Sequence, residues 1–293
     1  MKELMAFLLL VLFASSIHAA PGDILRSQTL SGQPSSGVRG LAMDWDTGLI
    51  WVAGPNGSSN IIYTTMDPVT MTTGTWLAAA ADLGWIFDIG YGFDDGGTKY
   101  LLMNDQYSPF TKMIDPLDGS YDGQLPDYYS SGNYTNGCTV DWNTNNVYIS
   151  SHGNPYVVYY YGVFYYPFTS ITGAKNMGTA VGWDHLFILR TSSFYTIEVY
   201  EIGGAFIGSI PLAAWPSDNY VLGLSCGRED AVGENETLFF ADLLTKQVHE
   251  IEVGDYTTPG SLTPSTWGEI KAGFVSTPDG NRSPSSSFLT SLK

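Results

Sequence analysis

Basic residues are scarce in this chain: Lys and Arg number 12 against 29 Asp and Glu, a net charge of −17. That balance argues against nucleic acid and anionic membrane surfaces, both of which need basic patches. Long apolar runs are scarce too. The run from Leu4 to Phe13 is too short to span hydrocarbon, which takes about 20 apolar residues, and no other stretch is long enough. It lies in "MKELMAFLLLVLFASSIHAA", between a lysine and a set of small residues. That is a secretory-signal pattern with cleavage near Ala19 or Ala20. The expectation is a signal over residues 1–20, no membrane span, and a secreted protein (extracellular, periplasmic or on the cell surface). There are four histidines, His18, His152, His185 and His249, no two at a metal-ligand spacing. No G-x-S-x-G is present, and no long segment has a helical period.

What the chain does have is a repeat. "VRGLAMDW" (Val38 to Trp45) aligns with "IFDIGYGF" (Ile86 to Phe93), "TNGCTVDW" (Thr135 to Trp142), "NMGTAVGW" (Asn176 to Trp183) and "VLGLSCGR" (Val221 to Arg228). The third column reads Gly40, Asp88, Gly137, Gly178, Gly223, and successive copies are offset by 48, 49, 41 and 45 residues in the last column. Each copy continues with a turn and further runs of β-branched and aromatic residues punctuated by Gly, Asn, Asp and Pro, which is strand-and-turn chemistry. Four short strands per unit of this length mark a propeller blade. The expected fold is all-β: a five-bladed β-propeller of four-stranded blades over residues 21–256. The last unit runs out of strand after "HEIEV", and "ILRSQTL" (Ile24 to Leu30) is a spare strand that would close the ring. Residues 257–293 read as a Pro/Ser/Thr-rich tail with one possible short helix at "STWGEIKAGF".

In this frame "DWDTG" (Asp44 to Gly48) is a hairpin turn, not a metal loop. Calcium needs several more oxygen ligands, and the sister turns keep turn chemistry but no ligand set. The recurring Trp and Phe are expected to pack between blades. A disulfide is the usual guess for two cysteines in an exported protein. Here Cys138 and Cys226 fall on inner strands of non-adjacent blades, farther apart than the roughly 4.4–6.8 Å between Cα atoms that a disulfide needs, so they are expected not to be bonded to each other.

"GLAMDWDTGLIWVAG" followed by "MIDPLDG" (Met113 to Gly119) resembles the exported bacterial propellers of the NHL-like, lactonase-like and glutamine-cyclotransferase-like group. The resemblance covers about Gly37 to Gly254. It implies the architecture and leaves activity open, because such propellers include enzymes, binding modules and scaffolds.

In such a ring the loops entering the inner strands and those joining second to third strands share one face. They offer Asp82, Trp85, Asn104, Asp105, Tyr128, Tyr129, His152, Asn154, Trp215, Asp218 and Asp242 as ligand-binding candidates. Aromatics beside amides and carboxylates suit sugars or polar peptides. Asp88 breaks the glycine column. A carboxylate there either points into the channel to hold a cation, with calcium the candidate cofactor, or caps a backbone amide. The sequence therefore supports a non-catalytic binding or scaffold propeller for a glycan, peptide or other protein ligand. The alternative is a hydrolase or lyase acting on glycans or lactones with channel calcium. Self-association through "YVVYYYGVFYYPF" (Tyr156 to Phe168) is a third reading.

Overall fold

A computed structural model describes residues 20–57, 60–80, 83, 85–94, 96–105, 110–126, 135–151, 154–160, 163–167, 175–191, 194–216, 220–227 and 236–254. The chain divides into a unit of residues 1–257 and another of 258–293; every described residue lies in the first. The expected signal before Ala20 and the expected tail lie outside the described residues.

The described strands form five four-stranded antiparallel sheets in a β-propeller arrangement. After β1 (Ile24–Gln28) come β2 (Gly40–Asp44), β3 (Leu49–Asn56), β4 (Asn60–Met66) and β5 (Leu77–Ala78), which form one sheet in chain order. The second holds β6 (Ile86–Phe93), β7 (Lys99–Asp105), β8 (Phe110–Ile114) and β9 (Tyr121–Pro126). The third holds β10 (Thr135–Asp141), β11 (Asn146–Ser151), β12 (Asn154–Tyr160) and β13 (Val163–Pro167). The fourth holds β14 (Lys175–Gly182), β15 (His185–Thr191), β16 (Phe194–Glu201) and β17 (Phe206–Pro216). The fifth holds β18 (Val221–Cys226), β19 (Thr237–Asp242) and β20 (Gln247–Glu252), with β1 on its outer edge. Ser27 stands opposite His249 in that pairing, and Gln28 opposite Val248.

The inner strands β2, β6, β10, β14 and β18 are nearly all buried, because each is covered on both faces by a neighbouring sheet. The cores lie between sheets. One joins Leu222, Leu224 and Phe240 of the fifth sheet to Phe187, Leu189 and Ile197 of the fourth. Trp142 of the third sheet packs on Tyr91 and Phe93 of the second and donates its indole N–H to the Tyr91 carbonyl at 2.9 Å. Trp45 meets Trp183 edge to face, with centroids 6.0 Å apart. The aromatic column is thus packing material between sheets.

The "DWDTG" stretch is a hairpin. Asp44 pairs with Leu49, Gly48 adopts φ +69, and the Asp44 carboxylate accepts the Asp46 and Thr47 amides at 3.0 and 3.3 Å. Asp141 does the same for Asn143, and Asp94 for Gly96 and Thr98. These aspartates stabilise turns by capping local amides. No disulfide joins Cys138 and Cys226, whose thiols are buried on β10 and β18. No helix among the described residues is long and apolar enough to cross a membrane.

Candidate functional site

The inner strands touch at the ring axis. A Cβ added to Gly40 would lie 2.7 Å from the Ile89 side chain and 2.9 Å from the Asp88 carbonyl carbon. One added to Gly178 would lie 2.8 Å from the Gly223 carbonyl carbon. The glycine column exists because backbones meet there.

Asp88 is the one residue in the column with a side chain, and it fills the axis. It is fully buried. Its Oδ1 accepts the Ile89 N–H at 2.9 Å and the Leu41 N–H at 3.3 Å, and its Oδ2 accepts the Thr179 N–H at 2.9 Å. The Leu224 N–H is also hydrogen-bonded to it. Four backbone donors from four sheets thus converge on one carboxylate. Burial pushes its pKa well above the ordinary carboxylate value, and the four amides pull it partly back. Such a nest of N–H groups suits an anion. Calcium takes about 6–8 oxygen ligands, and this donor set does not fit it. Among the described residues no group of three or more His, Cys, Asp or Glu is placed to hold a metal. Along the axis, the space bounded by Ala42, Trp45, Tyr91, Thr139, Ala180 and Cys226 has room for about one water. The carboxylate takes the amide-capping role.

Three further sequence candidates are struts. Asn104 is fully buried; its Nδ2 donates to the Gly137 carbonyl at 2.9 Å and its Oδ1 accepts the Thr111 hydroxyl at 2.6 Å. It ties the second sheet to the third. Asp242 and Trp215 come together but are 2 % and 5 % exposed. The Trp215 indole donates to Asp242 Oδ2 at 3.3 Å, while Oδ1 accepts the Leu244 amide at 2.8 Å. Both belong to the packing between the fourth and fifth sheets, so neither is an open platform. Asp82, Tyr128, Tyr129, His152 and Asp218 lie outside the described residues, as do the side chains of Asp105 on β7 and Asn154 on β12.

One candidate on the loop face is both open and fixed. Trp85, just before β6, is 44 % exposed. The guanidinium of Arg39 lies over its ring at 3.9 Å from the centroid. Arg39 is itself buried, and its backbone N–H is bonded to the Ala53 carbonyl at 2.9 Å. Arginine on an aromatic face is favourable by about 0.5–2 kcal/mol. Arg39 was not a sequence candidate, yet the alignment carried a signal. The residue before the glycine column is Arg39, Phe87, Asn136, Met177 or Leu222, and only the first is charged. Around the same face Phe194, Tyr220 and Leu244 are also exposed. The Tyr220 carbonyl accepts the Leu243 N–H at 2.9 Å, which seats Tyr220 beside the turn that carries Leu244.

Comparison with solved structures places this geometry among propellers. The chain is similar to the glutaminyl cyclase of Myxococcus xanthus, with a TM-score of 0.52 and 11% identity over 78% of this chain and 94% of that one. It is also similar to the tail fibre of Staphylococcus aureus phage P68, with a TM-score of 0.51 and 12% identity over 88% of this chain. The match spans 57% of the length of the tail fibre. No family model and no curated protein matches the chain. At these identities the likeness shows the fold alone. It agrees with the cyclotransferase-like part of the resemblance in the sequence and does not bear on the NHL-like or lactonase-like part.

Proposed function

We propose that this protein is an exported propeller that binds a polar ligand, a glycan or a peptide, on its loop face. The observation that carries the reading is the Trp85 ring, open on one side and backed by buried Arg39 on the other. A flat aromatic held rigid before the ligand arrives loses little freedom on binding. The C–H face of a sugar ring stacks on such a surface, and its hydroxyls need polar neighbours around it. The net charge of −17 favours a neutral or basic ligand over an anionic one. The secretory-type N-terminus supports a place outside the cytoplasm. Titrating the protein with neutral oligosaccharides and short basic peptides should give saturable binding that Trp85→Ala weakens at least tenfold. Saturable binding that is equal in the variant would overturn the reading.

A further inference from the structure

Beneath the strand that completes the fifth sheet lies a cluster that the loop face does not use. Ser27 on β1 stands opposite His249 on β20, and His249 stands opposite Phe240 on β19. The Ser27 hydroxyl and His249 Nδ1 are 2.7 Å apart. The other ring nitrogen, Nε2, is buried with no hydrogen-bond partner and sits 3.9 Å from Asp242 Oδ2. The imidazole is packed between Trp215, edge-on at 5.1 Å, and Phe240 at 5.3 Å. Ser27 is exposed, whereas His249 and Asp242 are buried.

We propose that Ser27 is an activated nucleophile that hydrolyses small oxygen esters, with His249 as its general base and Asp242 as the group that positions and supports the imidazole. The arrangement has an accessible hydroxyl hydrogen-bonded to a ring whose far nitrogen faces a buried carboxylate. For Nδ1 to accept the Ser27 proton, the neutral ring carries its own proton on Nε2, the side turned to Asp242. The imidazolium formed during attack then lies beside a carboxylate. Burial holds His249 below the ordinary imidazole pKa and Asp242 opposes that in part, so the ring is neutral and able to accept a proton at pH 7. On β20, Glu250 is paired with Arg26, and Glu252 is buried three residues along the strand from His249.

In the first half-reaction Ser27 Oγ bonds to the acyl carbon and its proton passes to Nδ1. The C–O bond of the ester breaks, and the leaving oxygen takes the proton from Nδ1 and departs as an alcohol. In the second half a water gives its proton to Nδ1 and attacks the acyl-serine. The acid is released and the proton returns to Ser27 Oγ.

The test uses the intact protein with a fluorophosphonate probe and with p-nitrophenyl acetate. The probe should form one adduct, mapped by peptide mass to Ser27, and ester turnover should disappear in Ser27→Ala. Removing the hydroxyl takes the hydrogen-bond partner from the buried His249 Nδ1, so the variant should stay folded but melt a few degrees below the parent. Turnover should fall at least tenfold in His249→Gln. In the parent it should rise with pH and reach a plateau at or below the ordinary imidazole pKa of about 6.5. Absence of a Ser27 adduct, or turnover unchanged in folded Ser27→Ala, would overturn the proposal. If His249→Gln does not fold, the Ser27→Ala result and the pH profile decide.

Discussion

Asp88 offers a carboxylate where its four sister positions offer hydrogen, and the alignment alone shows it to be the odd member of its column. What the sequence could not show was the partner set. The amides it accepts belong to Leu41, Ile89, Thr179 and Leu224, three of them far away in the chain, and the direction of a backbone N–H leaves no trace in residue identity. Replacing Asp88 by alanine should orphan buried donors from four sheets. Each orphaned donor costs about 1–3 kcal/mol. Asp88→Ala should therefore lose at least about 3 kcal/mol in chemical denaturation, while Asp88→Asn, which keeps one acceptor, should lose less. Calcium and chelator should leave the melting temperature of the parent unchanged, since an ion that does not bind the native state cannot stabilise it. A rise with calcium would contradict the amide-capping role. His249 carries the pH prediction. Its folded pKa is lowered, first by burial, so the unfolded chain binds the proton more readily. The resulting contribution to stability is present above the unfolded value of about 6.5 and is lost as pH falls below it. Melting curves from pH 7.5 down to 5 should fall more steeply for the parent than for His249→Gln. Parallel curves would show that His249 binds its proton equally in the folded and unfolded chain, against the lowered folded pKa.

At the scale of elements, β1 was legible because the last repeat unit visibly lacks an outer strand and the N-terminus visibly has a spare one. Arg26 was not singled out by the sequence. Its guanidinium reaches the carbonyls of Pro68 and Val69 in the first sheet's turn and the carboxylate of Glu250 on β20, so it links the two sheets that flank the seam. The group is partly open to solvent, which screens the pair. Arg26→Ala should lower stability by about 1 kcal/mol, or about 2–4 °C in melting temperature for a domain of this size. Deleting residues 21–31 should lower it far more, because Leu30 is buried in the core beside the first sheet and the outer edge of β20 would lose its partner. A deletion that melts with the parent would contradict the role given to β1. The placement of Trp215 and Asp242 on an open face failed at this same scale. β17 runs on to Pro216, so Trp215 is part of a long strand covered by the next sheet and not part of a loop.

For the whole molecule, repeat spacing was enough to give the propeller because each sheet must bury both faces against its neighbours, and that demand writes the same apolar pattern into every unit. The face that binds was harder to read. Loop residues are free of the packing demand, and what sets Trp85 apart among the described loop aromatics is the Arg39 guanidinium beneath it, contributed by a different sheet. Leu117 provides the control. It is 84 % exposed in the turn between β8 and β9, at the opposite end of the strands from the β7–β8 and inner-strand approaches. The decisive measurement is binding of the parent, Trp85→Ala and Leu117→Ala to one array of neutral glycans and basic peptides under the same conditions. The predicted result is a shared ligand for the parent and Leu117→Ala that is lost in Trp85→Ala. Retention by Trp85→Ala, or loss in Leu117→Ala alone, would contradict the loop-face account.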